Sequence, residues 1–143
     1  MTAPLEVTVA RAQGLLDVPL HRYLGLAFLD PADPSQGVTM TVGDASVNNV
    51  DVLHGGIHVS LLDVGCYLAL LPHLGPAENA LTHDCAAQLM RGVPRDGVVE
   101  VRGELLRRGR TLAFLRAEVR HEGRVVAAGQ VTKSVVPLPP AGD

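Results

Sequence analysis

The feature that most constrains the fold is a long apolar segment in the middle of the chain. From the Gly55-Gly56 pair to Leu71, just before Pro72, apolar residues lie on nearly every side of a helix. A helix that is apolar all round must be buried, so the rest of the chain has to cover it. Its seventeen residues would extend roughly 25 Å, enough to cross one face of a sheet. The segment predicts a buried central helix.

Most strand-like segments follow this helix, and short turns separate them. Four of them span residues 80–90, 98–106, 111–120 and 124–136. The turns PRDG, RRGR and HEGR place Gly or Pro between β-rich segments, which predicts an antiparallel meander. In the second segment Val99 and Val101 alternate with Glu100 and Arg102. This period of two predicts that one face of the sheet is solvated.

The chain before the apolar helix adds a shorter helix and two short strands. Apolar residues recur at helical spacing over residues 5–16, which predicts an amphipathic helix that ends before Pro19. Strand-like segments at 24–29 and 38–42 are joined by the turn-rich DPADPSQG. One buried helix and about six strands predict an α+β domain, in which an antiparallel sheet wraps around the helix.

The length of the chain fits one domain with one hydrophobic core. We therefore expect a single domain over residues 1–143, with an N-terminal helical segment over 1–20 and a flexible proline-rich tail at 137–143. A hydrophobic content of 47% is typical of a packed globule. A net charge of -3 and 3% aromatic residues make nucleic acid an unsuitable partner.

Features of targeting and of redox chemistry are also informative. No basic segment precedes an apolar one at the N terminus, and the longest uncharged apolar stretch, 64–71, is too short to span a bilayer. Cys66 and Cys85 lie in apolar surroundings without a C-x-x-C spacing. We expect a cytoplasmic protein with two reduced thiols and no membrane partner.

Asp63 carries the strongest functional signal, because it interrupts the apolar helix. A buried carboxylate without partners costs several kcal/mol. Two interpretations remain open. Asp63 either bonds neighbouring backbone or pairs with an arginine across an interface, or it acts as a general base or nucleophile.

His54-Gly55-Gly56 opens the same helix. Two glycines in a first turn lower helix propensity, which is useful where a ligand must approach the backbone. Exposed N–H groups at a helix N terminus can bind a carbonyl oxygen or an oxyanion, although a tight turn or a close helix–sheet contact is an alternative explanation. Asp63 follows Gly56 by seven residues, or two turns, so the two share a face of the helix.

Asn48 and Asn49 precede this helix, where Asn serves as a turn or cap residue or as a side-chain donor. The order of Asn, then LHGG, then Asp63 resembles the phenylacetate-degradation (PaaI-type) branch of the hotdog-fold acyl-CoA thioesterases, within the 4-hydroxybenzoyl-CoA thioesterase superfamily. The resemblance covers about residues 24–136 and includes the RGRTLAF hairpin and the final GQVTK strand.

The resemblance implies a hotdog fold that forms homodimers, often paired again into tetramers, and an acyl-CoA substrate. It implies that the Gly55 N–H, together with Asn48, polarises the thioester carbonyl. Asp63 would then activate water or attack directly, and Thr82 would help to orient that water. In such enzymes the site is shared across the dimer interface.

Further residues are expected to bind the substrate. His54 and Gly56 belong to the same helix start, and Arg107, Arg108 and Arg110 could supply bidentate donors to the phosphates of coenzyme A, with a solvated hairpin tip as the alternative. A thioester has a good leaving group, so hydrolysis needs a positioned water, a base and oxyanion donors. We expect no cofactor beyond the coenzyme A of the substrate.

Other functions stay open at this point. His54 and His58 are four residues apart, but the chain has no H-E-x-x-H motif, so we predict no metal site. A non-catalytic acyl-CoA-binding protein could dispense with Asp63. A thioester hydratase or dehydratase would pair a histidine with an acid, for which His54 and Asp63 are the only candidates.

Overall fold

The structure is a computed structural model that describes residues 2–139. The elements in chain order are α1 (Leu5–Leu16), α2 (Pro19–Leu24), β1 (Ala27–Phe28), β2 (Val38–Thr41), α3 (Gly55–Leu70), β3 (Glu78–Leu89), β4 (Val98–Arg108), β5 (Leu112–His121) and β6 (Arg124–Pro137). Short 3₁₀ turns at Pro34–Gln36 and Leu71–His73 complete the regular structure of this part of the chain.

The six strands form one antiparallel sheet in the order β1-β2-β4-β5-β6-β3, and α3 packs across it against β3, β4, β5 and β6. The segment Gly55–His73 is long and apolar enough to cross a membrane, but half of it is buried against the sheet. It is therefore the core helix of the fold. The expected α+β domain, with an antiparallel sheet wrapped around one long helix, is confirmed.

The order of the last four strands differs from the predicted meander. β3 pairs with β6 instead of β4, so β5 and β6 lie between β4 and β3 in the sheet. The link between them forms no hairpin because its backbone bonds elsewhere: the Leu53 N–H donates to the Val93 carbonyl and the Val42 N–H to the Gly97 carbonyl, each at 2.8 Å. The PRDG turn thus leads the chain past the start of α3 to β2.

The predicted strand at 24–29 is also mostly wrong. Residues up to Leu24 belong to α2, which begins at Pro19, a residue well suited to the first helical position. Gly25 ends this helix in the left-handed region at φ 73°, and only Ala27–Phe28 pairs as a strand. Of the predicted segment only Leu24 lies in the helix, and the left-handed conformation of Gly25 interrupts the extended backbone before Ala27.

Helix α1 has the predicted bounds, and its position matters for the site. Ala12 is fully buried against the core, and the Arg11 guanidinium donates to the carbonyl oxygens of Gly75 and Glu78, just before and at the start of β3. These bonds hold α1 over one edge of α3.

At the other terminus Pro137 ends β6 and the Leu138 N–H donates to the Ala77 carbonyl at 2.8 Å, while residues 140–143 of the predicted tail lie outside the described part.

Two glycines allow α3 to lie close to the sheet. Gly65 of α3 faces Gly103 of β4, and a Cβ atom at Gly103 would lie 2.2 Å from the Gly65 carbonyl oxygen. Since the atoms that meet here belong to the main chain of α3 and of β4, the contact cannot be relieved without shifting the helix or the strand. The close approach fixes the height of α3 above the sheet, and hence the position of the residues that follow Gly56 along it.

Replacing Gly103 with alanine is expected to lower the free energy of unfolding by about 2–3 kcal/mol, because the added methyl group overpacks a backbone contact. Urea unfolding measures the loss. The control is Gly14→Ala in α1, where nothing lies within 4 Å of the added Cβ. That change should gain about 0.5–1 kcal/mol. A loss at Gly103 no larger than about 0.5 kcal/mol would contradict the close-contact explanation.

Candidate active site

Asp63 projects from the third turn of α3 into a small polar cluster with Thr82 of β3 and Lys133 of β6. The Lys133 Nζ donates to Asp63 Oδ1 at 2.7 Å and to Thr82 Oγ1 at 2.9 Å, and the Thr82 hydroxyl donates to the same Oδ1 at 2.6 Å. The lysine side chain is 2% exposed and the aspartate side chain 36%. The charge of Asp63 is thus paired within its own chain, by a partner that neither sequence interpretation named.

The sheet brings this cluster together. Thr82 and Lys133 are register partners where β3 pairs with β6, and Lys133 follows Val131 on the side of β6 that faces α3. Lys133 is the site residue that the sequence analysis missed. Two signals were available: it is the only lysine of the chain, and the alternation of β6 places it on the apolar face.

A cavity of about 480 Å³ opens beside Asp63, under α1. Its lining comes from α1 and the residues after it, from α3, β3 and β6, and from the chain after β6: Arg11, Gly14, Leu15, Val18, His21, Asp63, Val64, Tyr67, Asn79, Ala80, Leu81, Thr82, Lys133 and Leu138. The Tyr67 hydroxyl donates to Asn79 Oδ1 at 2.9 Å, and burial raises the pKa of this phenol. A largely apolar cavity with a carboxylate at its wall suits an organic substrate with one reacting polar group.

The start of α3 carries one free donor. The Gly56 N–H is taken by the Nδ1 atom of His54 at 2.9 Å, so a neutral His54 carries its hydrogen on Nε2. The Gly55 N–H has no acceptor within residues 2–139. The N terminus of α3 can therefore offer this N–H to a carbonyl oxygen of a ligand.

Asn48 shapes the loop before α3. Its Oδ1 accepts hydrogen bonds from the Val50 N–H at 3.0 Å and from the Val52 N–H at 3.1 Å, which is the turn role that asparagine favours. The side-chain oxygen is thereby occupied, and the amide NH₂ is the group left to donate. Asp51 in the same loop pairs with Arg95 at 2.7 Å, which ties the loop to the β3–β4 link.

Gly55 and Asp63 share a helix but lie far apart along it. Eight residues correspond to a rise of about 12 Å, whereas two groups that act on one carbonyl must each lie within about 3–3.5 Å of a reacting atom. One chain therefore does not bring the Gly55 N–H and the Asp63 carboxylate to the same substrate atom. Thr82, in contrast, bonds Asp63 directly.

The three arginines of the β4–β5 hairpin differ in their environment. Arg108 pairs with Glu78 at 2.7 Å and also donates to carbonyl oxygens of its own hairpin. Arg107 and Arg110 are exposed, and neither takes part in a salt bridge of the described structure. The hairpin thus offers two cations to a ligand, with the third used to hold it to the start of β3.

Both cysteines are free thiols. Cys66 is fully buried, and this burial raises its pKa to about 12, so its thiol stays protonated and unreactive at neutral pH. Among residues 2–139 no three His, Cys, Asp or Glu side chains are grouped so that they could hold a metal ion.

His58 is the other titratable group buried in α3. It is 3% exposed, its Nδ1 has no hydrogen-bond partner within the described residues, and desolvation lowers its pKa below the usual 6.5. It lies one helical turn after His54, whose carbonyl accepts its N–H at 3.3 Å. His58 therefore packs as a neutral core residue.

Acidification is expected to destabilise the fold through His58. Below about pH 6.5 the unfolded chain binds a proton at this histidine that the folded chain does not, so the free energy of unfolding falls with pH until the lower folded pKa is passed. Urea unfolding at about pH 7.5 and about pH 5.5 should show a smaller loss for His58→Leu than for the wild type. The exposed His73→Gln serves as control, and an equal loss in His58→Leu and wild type would refute the prediction.

The arrangement of the chain is shared with known thioesterases. The family model described as Thioesterase superfamily matches residues 51–128. A thioesterase from Haemophilus influenzae is 25% identical with a TM-score of 0.78, covering 96% of this chain and 94% of that one. A conserved protein from Pseudomonas aeruginosa is 28% identical with a TM-score of 0.75, covering 87% and 99%.

Two more distant structures share the fold. A Bacillus halodurans protein solved with CoA is 17% identical with a TM-score of 0.76, covering 92% of this chain and 84% of that one. A phenylacetic acid degradation-related protein from Ralstonia eutropha is 22% identical with a TM-score of 0.73, covering 90% and 98%. No curated protein matches the chain. The hotdog fold is thus confirmed, and the chain belongs to the thioesterase superfamily.

Proposed function

We propose that this protein is an acyl-CoA thioesterase of the phenylacetate-degradation (PaaI-type) branch, which hydrolyses an aryl- or fatty-acyl-CoA to the free acid and CoA. The observation that carries the proposal is the Asp63 carboxylate, held by Thr82 and Lys133 at the wall of the cavity. Membership of the superfamily supports the reaction class. The Bacillus halodurans structure with CoA and the Ralstonia eutropha relative support the ligand and the branch.

The proposed reaction uses few groups. The Gly55 N–H and the Asn48 amide would bind the carbonyl oxygen of the thioester and stabilise its negative charge as the tetrahedral intermediate forms. Asp63 would take a proton from the attacking water, or attack the carbonyl carbon itself, with Thr82 helping to orient the water. The C–S bond then breaks, and the thiolate of CoA leaves and takes up a proton. In the direct-attack route the acyl group remains on Asp63 as a mixed anhydride, which water then hydrolyses to release the free acid and restore the carboxylate.

A homodimer is part of the proposal. Because Gly55 and Asp63 of one chain lie about 12 Å apart, a complete site needs the helix start of one chain and the carboxylate of another. Among residues 2–139, β3 ends the sheet with one edge unpaired, next to Asp63, and its Leu81 and Leu89 are 59% and 48% exposed. Pairing of two such edges about a two-fold axis would form two equal sites and cover these side chains. A further pairing into tetramers is proposed on family resemblance.

The remaining proposals concern the substrate and its surroundings. Arg107 and Arg110, with Arg108 beside them, would bind the phosphates of coenzyme A, and His54 and Gly56 would flank the thioester. No metal or prosthetic group takes part in this reaction scheme. We place the protein in the cytoplasm, where acyl-CoA substrates are made and used.

The proposal is tested by thiol release from a panel of aryl- and fatty-acyl-CoAs, with binding of each ester measured in parallel by calorimetry. We expect turnover with at least one ester. Binding of CoA esters without thiol release would refute hydrolysis and favour an acyl-CoA-binding protein. Consumption of an unsaturated acyl-CoA with the thioester retained would favour a hydratase.

A further inference from the structure

Lys133 is the one lysine of the chain, and it is placed where an ammonium group is costly. Its side chain is 2% exposed, on the face of β6 that packs against α3. Removing such a charge from water costs several kcal/mol unless close partners compensate it. A Met or Leu would fill the same space at no electrostatic cost. The position of the lysine therefore needs an explanation beyond packing.

The partners of Lys133 are all parts of the candidate site. Its Nζ donates to Asp63 Oδ1 and to Thr82 Oγ1, and lies 5.6 Å from the centre of the Tyr67 ring, within the range of a cation–π contact. Since Thr82 accepts from the lysine, its own hydrogen is free to point to Asp63. The three groups form a directed chain of donors that ends on one carboxylate oxygen.

That oxygen is Oδ1, and the second oxygen of Asp63, Oδ2, differs from it in its hydrogen bonding. Within residues 2–139 Oδ2 has no hydrogen-bond partner, whereas Oδ1 has two. A carboxylate whose one oxygen accepts two strong donors is held in a single orientation. Oδ2 is therefore the oxygen available to a water or to a carbonyl carbon.

Other titratable groups surround Asp63, but none of them replaces Lys133. These groups are Cys66, Tyr67, Cys85, Asp84, Arg11 and His21. Burial raises the pKa of both thiols and of the phenol, so they remain neutral near pH 7. The guanidinium of Arg11 donates to main-chain carbonyls before and at the start of β3, and the Nδ1 of His21 is bonded to a main-chain carbonyl at 2.7 Å. The ammonium is the one cation that contacts Asp63 among the described residues.

We infer that Lys133 is a positioning residue for the reaction, which holds the Asp63 carboxylate by its Oδ1 and leaves only its Oδ2 to act. The role of Lys133 in the reaction rests on the proposed thioesterase function, whereas the coupling of Lys133 to Asp63 is a property of the free protein. Lys133 itself touches no substrate atom in this scheme. It acts through Asp63 and Thr82.

The first test is a titration that needs no substrate. Protein labelled with ¹³C at aspartate carboxyls and ¹⁵N at the lysine Nζ gives one lysine side-chain signal, since the chain has one lysine. The Asp63 signal, assigned with Asp63→Asn, and the Lys133 signal should move with the same midpoint. A lysine signal that does not respond when Asp63 titrates in the wild type would overturn the inference.

The second test uses two substitutions of Lys133 and a matched control. Lys133→Met removes the charge and fills the space, and Lys133→Gln keeps an N–H donor in case the first variant does not fold. Each should move the midpoint of the Asp63 titration upward, because the variant removes the cation that contacts the carboxylate. The acid limb of the pH–rate profile should move by the same amount. Arg116→Met, which breaks the exposed pair with Glu104, should change neither.

The outcomes separate the two proposals. An unchanged Asp63 titration in a folded Lys133 variant, or a shifted titration with an unmoved acid limb, would overturn the role of Lys133 while thioesterase activity stands. A wild type that couples the two residues but releases no thiol from any acyl-CoA would refute the proposed function, and with it the positioning role.

Discussion

Asp63→Asn is expected to lower kcat for acyl-CoA hydrolysis by about 10²–10⁴-fold, with a much smaller change in KM. The amide has the shape of the carboxylate and its oxygen can still accept from Lys133 and Thr82. It has no basic oxygen to take a proton from water and no anionic oxygen to attack the thioester. Binding of the acyl-CoA, which depends on the cavity and the hairpin arginines, should persist. Steady-state rates of thiol release measure both parameters.

The control for this variant is Glu104→Gln, which removes an exposed carboxylate that is also paired with a cation. It should leave kcat within about twofold of the wild type, because exposed ion pairs contribute little. Asp63→Asn leaves the buried Lys133 beside a neutral group, which lowers stability. Circular dichroism and urea unfolding therefore have to establish that this variant remains folded at the assay temperature. A folded Asp63→Asn within tenfold of wild-type kcat would remove Asp63 from the reaction.

Gly55→Pro is expected to lower kcat by about 10²–10³-fold, the usual cost of losing one oxyanion donor. Proline removes the N–H that has no acceptor within the described chain, and it is compatible with the first position of α3. His54, the residue before it, has φ -61° and ψ 133°, a conformation that proline permits in its predecessor. The helix should therefore start at the same residue, with one donor fewer.

Gly55→Ala is the matched control, because it adds a Cβ atom and keeps the N–H. In both variants that Cβ meets the Leu89 Cδ1 atom at 3.0 Å, the end of a flexible side chain that can move aside. Alanine should therefore retain most of the activity. Equal losses in the alanine and proline variants would show that crowding near Leu89, and not the missing N–H, is responsible.

The same two variants test the shared site. In a heterodimer of one Asp63→Asn chain and one Gly55→Pro chain, purified through two different tags, one of the two sites keeps both wild-type groups. The heterodimer should show about half of the wild-type activity, although each of the two homodimeric variants is nearly inactive. A heterodimer no more active than its parents would mean that both groups act within one chain.

Much of the fold could be predicted from the sequence because local patterns carry it. The apolar segment from Gly55 predicted the bounds of α3 almost to the residue, and β-rich segments between short turns predicted four of the strands. The pairing of β3 with β6 could not be predicted, since short turns such as PRDG fit a hairpin equally well. Only the bonds that the 90–97 link makes to β2 and to the loop before α3 exclude it.

The residues of the candidate site likewise divide into those that the sequence indicated and one that it did not. Asp63 stood out in the sequence because a charge breaks an apolar helix, and the glycines at its start stood out because they weaken one. Lys133 did not, although it donates to Asp63 at 2.7 Å, since seventy residues separate them along the chain. Their contact exists because β6 lies between β5 and β3, an order set by long-range pairing.

The sequence by itself thus determined the central helix, the strands and the presence of a carboxylate on the apolar helix, because hydrophobic period and a charge that interrupts it are local properties. The tertiary structure alone decided which cation pairs with that carboxylate and which of its oxygens is left free. Both depend on contacts between elements, which follow from sheet order and from the close approach of Gly65 to Gly103.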